Sequence, residues 1–148
     1  MQTGAAMFHP HVRLAQSPVA GRGVFAKVDL AADLVVEVAP VLLLHRAEGD
    51  HAGTLARYVF EWDVDLDETA YAMALGWGSM FNHSATPSCR YLRADDDETI
   101  AGLAGPTTLV EGHLAPALVF VTVRPVPAGE ELTIDYSGCG EEDFAFPA

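Results

Sequence analysis

Short apolar runs broken at close intervals most constrain what this chain can become. Leu118-Val119-Phe120-Val121-Thr122-Val123 is the strongest such run, and it is closed at once by Pro125-Val126-Pro127-Ala128-Gly129. The β-branched residues favour a strand, and the prolines with their fixed φ favour a turn. Val24-Phe25-Ala26, Leu34-Val35-Val36-Glu37-Val38 and Val41-Leu42-Leu43-Leu44 have the same character, with Pro40 between the last two as at an edge or bend. They read as a β-meander. Thr54-Leu55-Ala56-Arg57-Tyr58-Val59-Phe60-Glu61-Trp62 and Tyr71-Ala72-Met73-Ala74-Leu75 flank an acidic turn, which suggests a hairpin. Gly76 and Gly78 then bracket Trp77 and mark a sharp turn or a close approach to the main chain. Leu132-Thr133-Ile134-Asp135-Tyr136 alternates apolar and polar residues, so one face of that strand is expected to be buried. Residues 93–115 carry the acidic run Asp95-Asp96-Asp97-Glu98, scattered glycines and Pro106 without a period, and read as a long surface loop. The expectation is a mainly β fold of several small sheets.

Composition limits the function classes. A chain of 148 residues, half of them apolar, is the size of one domain over residues 1–148. Such a chain buries about two-thirds of its unfolded surface. With 8 basic and 21 acidic residues the net charge is −13, the wrong sign for replacing counterions along a phosphate backbone. Nucleic acid and anionic membrane are disfavoured as partners, and a basic protein or peptide is favoured. No apolar run approaches the roughly 20 residues that span a bilayer, and residues 1–7 are too short for a secretory apolar segment. A cytoplasmic protein is expected. Cys89 and Cys139 lie in no CxxC or Cys/His pattern, and His9, His11, His45, His51 and His113 fit no ligand spacing, so no metal is assigned.

Three motifs remain. Gly21-Arg22-Gly23 alone is no more than a turn, since a G-x-G without a third glycine is no dinucleotide fingerprint. Asn82-His83-Ser84 is more specific, because it sets an amide, an imidazole and a hydroxyl at the end of the apolar Met80-Phe81, where each needs a partner or a ligand. Gly129-Glu130-Glu131-Leu132 could close a hairpin, with Tyr136 as a core tyrosine. Glu130 and Glu131 are adjacent, so on a strand they point to opposite faces and cannot pair as acid and base.

Taken in order, Gly21-Arg22-Gly23-Val24-Phe25-Ala26, then Asn82-His83-Ser84-Ala85-Thr86-Pro87, then Pro127-Ala128-Gly129-Glu130-Glu131-Leu132-Thr133-Ile134-Asp135-Tyr136 resemble the SET domain of protein methyltransferases in its short, stand-alone form. The similarity covers about residues 12–137 and leaves 138–148 as a C-terminal tail. The resemblance implies a fold of small β-sheets in which the C-terminal strand passes under a loop near Asn82-His83-Ser84 in a knot-like threading. It also implies S-adenosylmethionine as cofactor and methyl transfer to a protein lysine. Arg22, Gly23 and Val24 match the segment whose backbone runs beside the cofactor, Asn82 and His83 the pair that holds its methionine end and adenine, and Tyr136 the tyrosine at the transfer site. Phe144 or Phe146 matches the aromatic that the tail lays against the adenine or the lysine channel.

The chemistry suits these residue types. A lysine with a pKa of about 10.4 is almost wholly protonated at pH 7, and only its neutral amine attacks a methyl carbon. A narrow apolar channel beside a sulfonium lowers that pKa by desolvation and like-charge repulsion, so no strong base is needed. Tyr136 would orient the amine, and alignment would supply most of the acceleration. The chain departs from the family pattern at Ala85 and Ser88, at Ser79 where many members carry arginine, and in lacking a cysteine-rich zinc segment after the domain. The channel must therefore be closed by the tail or by a second subunit. Two alternatives stay open: a binding module that kept the fold and lost turnover, and a methyltransferase for a non-protein amine.

Overall fold

The computed structural model describes residues 10–49, 54–105 and 113–136. They cluster into two compact units, one drawn from residues 1–37, 80–93 and 119–148 and the other from 38–79 and 94–118. Taken over the described residues together, the mainly β expectation holds.

In the first unit, β1 (Val12–Gln16) and β2 (Arg22–Ala26) form an antiparallel hairpin with Val12 opposite Ala26 and Gln16 opposite Arg22. Its loop closes because Ser17 N–H donates to Gly21 C=O at 2.8 Å and Gly21 takes the left-handed φ of 49° that suits glycine. The strand β3 (Val35–Leu44) runs on from this unit into the second. It is a single strand, with Pro40 inside it rather than separating two. The expected meander is not formed, because β2 pairs on its other side with the distant β9 (Glu131–Ile134), Val24 opposite Leu132 and Phe25 opposite Glu131. The tiny β6 (Asn82–His83) then joins β9 in parallel, Asn82 beside Thr133 and His83 beside Ile134, giving the order β1-β2-β9-β6.

The alternation in β9 is as read: Leu132 and Ile134 are fully buried while Glu131 and Thr133 are half-buried. All six residues of β8 (Ala117–Thr122) are buried, including Thr122, whose hydroxyl donates to Ala31 C=O at 2.7 Å and accepts from Leu34 N–H at 2.9 Å. Phe120 stacks on Phe81 with centroids 4.4 Å apart, and Tyr91 of the neighbouring β7 (Cys89–Ala94) tilts against it at 6.0 Å. This aromatic packing, favourable beyond its buried area, holds Phe81 directly before Asn82.

In the second unit the hairpin is present as β4 (Val59–Glu61) and β5 (Tyr71–Ala74), with Phe60 opposite Ala72, and β5 pairs in turn with Val41–Leu44 of β3. Residues 55–57 before it form a single 3-10 turn rather than more strand. Gly76 has φ 60°, as its place in a sharp turn required. The short helix α1 (Arg46–Gly49) lies on Tyr71, and a Cβ at Gly49 would come within 2.1 Å of the ring.

The loop read over residues 93–115 is corrected. Residues 97–104 are the helix α2 (Asp97–Ala104), and residues 106–112 lie outside the described set. The acidic run that looked like solvated loop is its start: Asp96 caps it by accepting from Thr99 N–H at 2.8 Å, and Asp97 and Glu98 face the positive end of the helix dipole. Ile100 is fully buried, and Gly105 closes the helix at φ 91° with its N–H on Ala101 C=O. Among the described residues no helix is long and apolar enough to cross a membrane.

Candidate active site

The three sequence motifs meet in the first unit because β9 has a partner on each side. Its antiparallel neighbour β2 carries Arg22, Gly23 and Val24, and its parallel neighbour β6 is Asn82-His83. Two small clusters result.

The first is built around Asn82. Its Nδ2 donates to Glu131 Oε2 at 2.8 Å and lies 3.2 Å from both Ala20 C=O and Arg22 C=O. Glu131 is held in turn by the hydroxyl of buried Ser17, which lies 2.8 and 3.0 Å from its two oxygens. Ser17 Oγ also accepts from Val19 N–H at 2.9 Å, which fixes the loop between β1 and β2. Gly23 borders this cluster: a Cβ there would stand 2.2 Å from Glu131 Oε2 and 3.0 Å from Asn82 Nδ2. The missing Cβ at Gly23 therefore makes room for a protein carboxylate. Arg22 enters through its carbonyl, while the Val24 side chain is fully buried in the core.

The second cluster joins His83 and Tyr136, whose ring centroids are 5.2 Å apart. Tyr136 N–H donates to His83 Nδ1 at 3.0 Å, so the neutral ring carries its proton on Nε2. Asp135 Oδ1 lies 3.7 Å from the same Nδ1. The Tyr136 hydroxyl donates to Phe81 C=O at 2.8 Å. Its proton is thus placed on that carbonyl. Phe144 and Phe146 lie outside the described residues.

Ser88, one of the departures, has a structural task. Its buried hydroxyl accepts from Thr133 N–H at 3.1 Å, and its carbonyl accepts from Val123 N–H at 2.8 Å. It ties the segment after Asn82-His83 to β9. Cys89 beside it is buried, and burial pushes its thiol up to about 12, which leaves it inert. In the second unit, Ser79 Oγ lies 3.0 Å from Tyr58 C=O and 2.9 Å from Ala74 C=O, two acceptors that share its one proton, securing the turn after β5.

Residues 21–137, which include Asn82, His83, Glu131 and Tyr136, match the SET domain family. The chain belongs to that family. It is 29% identical over 119 residues to the histone-lysine N-methyltransferase, H3 lysine-37 specific, of Schizosaccharomyces pombe; the match takes in 78% of this chain and 66% of that protein. The chain thus spans about two-thirds of that relative's length. The fold is shared with a Plasmodium falciparum protein of known crystal structure, assigned as a histone methyltransferase, at a TM-score of 0.63 and 17% identity, covering 88% of this chain and 95% of that one.

For this SET domain, sequence reasoning placed Gly23, Asn82, His83 and Tyr136 where the structure gathers residues, but missed Glu131 and Ser17. One signal was available for Glu131: once Leu132 and Ile134 are assigned inward, Glu131 and Thr133 fall on the opposite face of β9. For Ser17, pairing across more than a hundred residues left no local trace.

Proposed function

We propose that this SET domain is an S-adenosylmethionine-dependent methyltransferase that acts on protein lysine side chains. The observation that carries the reading is the parallel pairing of Asn82-His83 with Thr133-Ile134, which draws Tyr136 onto both His83 and Phe81 C=O. Family membership and the relatives support the same conclusion.

The residues fit the cofactor. Among the described residues, every side-chain hydrogen bond of Asn82 is made by Nδ2, so Oδ1 can accept from the ammonium at the methionine end. His83 offers Nε2–H to the adenine, and Phe144 of the tail belongs to the same proposal as its aromatic neighbour. Arg22, Gly23 and Val24 would contribute through the backbone. When bound, the cofactor supplies a methyl group made electrophilic by its sulfonium. Tyr136, with its own proton on Phe81 C=O, accepts from the amine N–H and turns the nitrogen lone pair toward the methyl group. Its hydroxyl is thereby an orienting acceptor and no general base. The net charge of −13 supports a basic protein or peptide as substrate. The knot-like passage of the C-terminal strand belongs with this proposal, supported by the place of β9 beside β6.

The test is incubation of the protein with radiolabelled S-adenosylmethionine and a panel of basic proteins, with Tyr136→Phe alongside. Label is expected on protein lysines, with turnover about a hundredfold lower in the variant, the scale of a lost alignment. Equal labelling by both would refute the role of Tyr136. Cofactor binding without transfer would favour a binding module, and transfer to small amines alone would favour a different substrate class.

A further inference from the structure

The Asn82 amide has two orientations of nearly the same shape, and its surroundings select one. Two backbone carbonyls and a carboxylate, Ala20 C=O, Arg22 C=O and Glu131 Oε2, all converge on Nδ2 within 3.2 Å. Turned over, the amide would set Oδ1 against three acceptors. Glu131 is the strongest of the three, because a hydrogen bond to an ionised acceptor is about twice as strong as a neutral one. It is also the one the fold builds for. Ser17 from the loop after β1 grips both of its oxygens, Gly23 of β2 leaves out the Cβ that would displace it, and β9 presents it across the sheet from Asn82.

The charge of Glu131 adds a second argument. Its described side-chain partners, Ser17 and Asn82, are both neutral, so its negative charge has no ion pair among the described residues. A carboxylate in that state, one hydrogen bond behind an outward-facing amide oxygen, biases the site toward a cation.

We propose that Glu131 is a positioning residue that locks the Asn82 amide with Nδ2 inward, so that Oδ1 and the field behind it select a ligand carrying an α-ammonium group. The proposal rests on the cofactor reading above and deepens it. Glu131 itself touches no ligand; it acts through Asn82, with Ser17 as the clamp that keeps its carboxylate in place.

The experiment is calorimetric titration of wild type, Glu131→Gln and Ser17→Ala with two ligands that share the adenosine thioether. S-Adenosylhomocysteine carries the α-ammonium, and 5′-methylthioadenosine lacks the whole amino-acid end. Glu131→Gln keeps the shape but loses the charge and the fixed donor–acceptor sense. It is expected to weaken S-adenosylhomocysteine about tenfold, the scale of one hydrogen bond to a charged group, and to leave 5′-methylthioadenosine within about twofold. Ser17→Ala, which keeps the carboxylate, is expected to show the same split at about threefold, and it carries the test should the first variant fail to fold. Unchanged affinity for S-adenosylhomocysteine in both variants would overturn the proposal and leave the cofactor reading standing. Equal losses for both ligands would also overturn it, by making Glu131 a structural residue. Failure of the wild type to bind either ligand would overturn the cofactor reading itself, and this proposal with it.

Discussion

Gly23→Ala tests the packing logic of the site through stability alone. Gly23 lies within β2 and is not among the glycines with positive φ, so alanine suits its backbone. On conformational grounds that change should stabilise a strand by about 0.5–1 kcal/mol. The side chain has no room, however: its Cβ would stand 2.2 Å from Glu131 Oε2. The backbone is fixed between β1 and β9, so the carboxylate must yield, by roughly 1 Å to reach ordinary contact. That movement takes Oε2 away from Asn82 Nδ2, now 2.8 Å distant, and from Ser17 Oγ at 3.0 Å. Losing one charge-assisted hydrogen bond costs about 1.5–3 kcal/mol. Less the conformational gain, the net loss is about 1.5 kcal/mol, or a melting temperature about 3–6 °C lower for a domain of this size.

The assay is a double-mutant cycle by urea denaturation with Glu131→Ala as the second change. With the carboxylate gone, Gly23→Ala has only the Asn82 contact at 3.0 Å to ease, and should be neutral within about 0.5 kcal/mol. The coupling is then about 1.5 kcal/mol. Additive effects, with the same loss in both backgrounds, would refute the reasoning and place the strain in the backbone instead.

Two further outcomes follow from the titrating groups. Asp97 accepts from Ala115 N–H, Leu114 N–H and His113 Nδ1, and these bonds hold its carboxyl below the usual range. A carboxyl depressed by folding adds stability above its unfolded value, near 3.9, and loses it as pH falls through the folded value. Urea midpoints of the wild type should therefore decline below about pH 4, and those of Asp97→Asn should decline less steeply; parallel curves would remove Asp97 from the account. Cys89, its thiol raised to about 12 by burial, should resist iodoacetamide at pH 8 in the native protein and react once urea unfolds it, as read by mass mapping of its peptide; native labelling would show that the core around it opens.

The strands were legible wherever local pattern and turn chemistry agreed, as in Leu118-Val119-Phe120-Val121 and in the Leu132/Ile134 alternation. What was not legible was non-local or masked. The meander failed because adjacency in sequence favoured β2 with β3, whereas β2 pairs with a strand more than a hundred residues on. Helix α2 was hidden by its own start, since a capping Asp96 followed by Asp97 and Glu98 has the composition of a loop, and Gly102 weakens the helical signal behind it. In the site, motif residues stood out because their order is unusual. Glu131 did not, because its task depends on which residue β6 sets beside it.

The site and the register of β9 are consequently one physical fact. Leu132 and Ile134 are fully buried, and a slip of one residue would turn Glu131 and Thr133 into the core. Burial of two large aliphatic side chains, at about 1.5–3 kcal/mol each, therefore specifies the face on which Glu131 meets Asn82. The same strand fixes the far end of the site: Ile134 C=O accepts from Ser84 N–H at 2.9 Å, and two residues later Tyr136 N–H reaches His83. Asn82, His83 and Tyr136 need no local structure of their own to find one another. The hydrophobic face of one four-residue strand aligns them, and for that reason a substitution at Leu132 or Ile134, remote in chemistry, should disturb the Asn82–Glu131 pair as surely as a change within it.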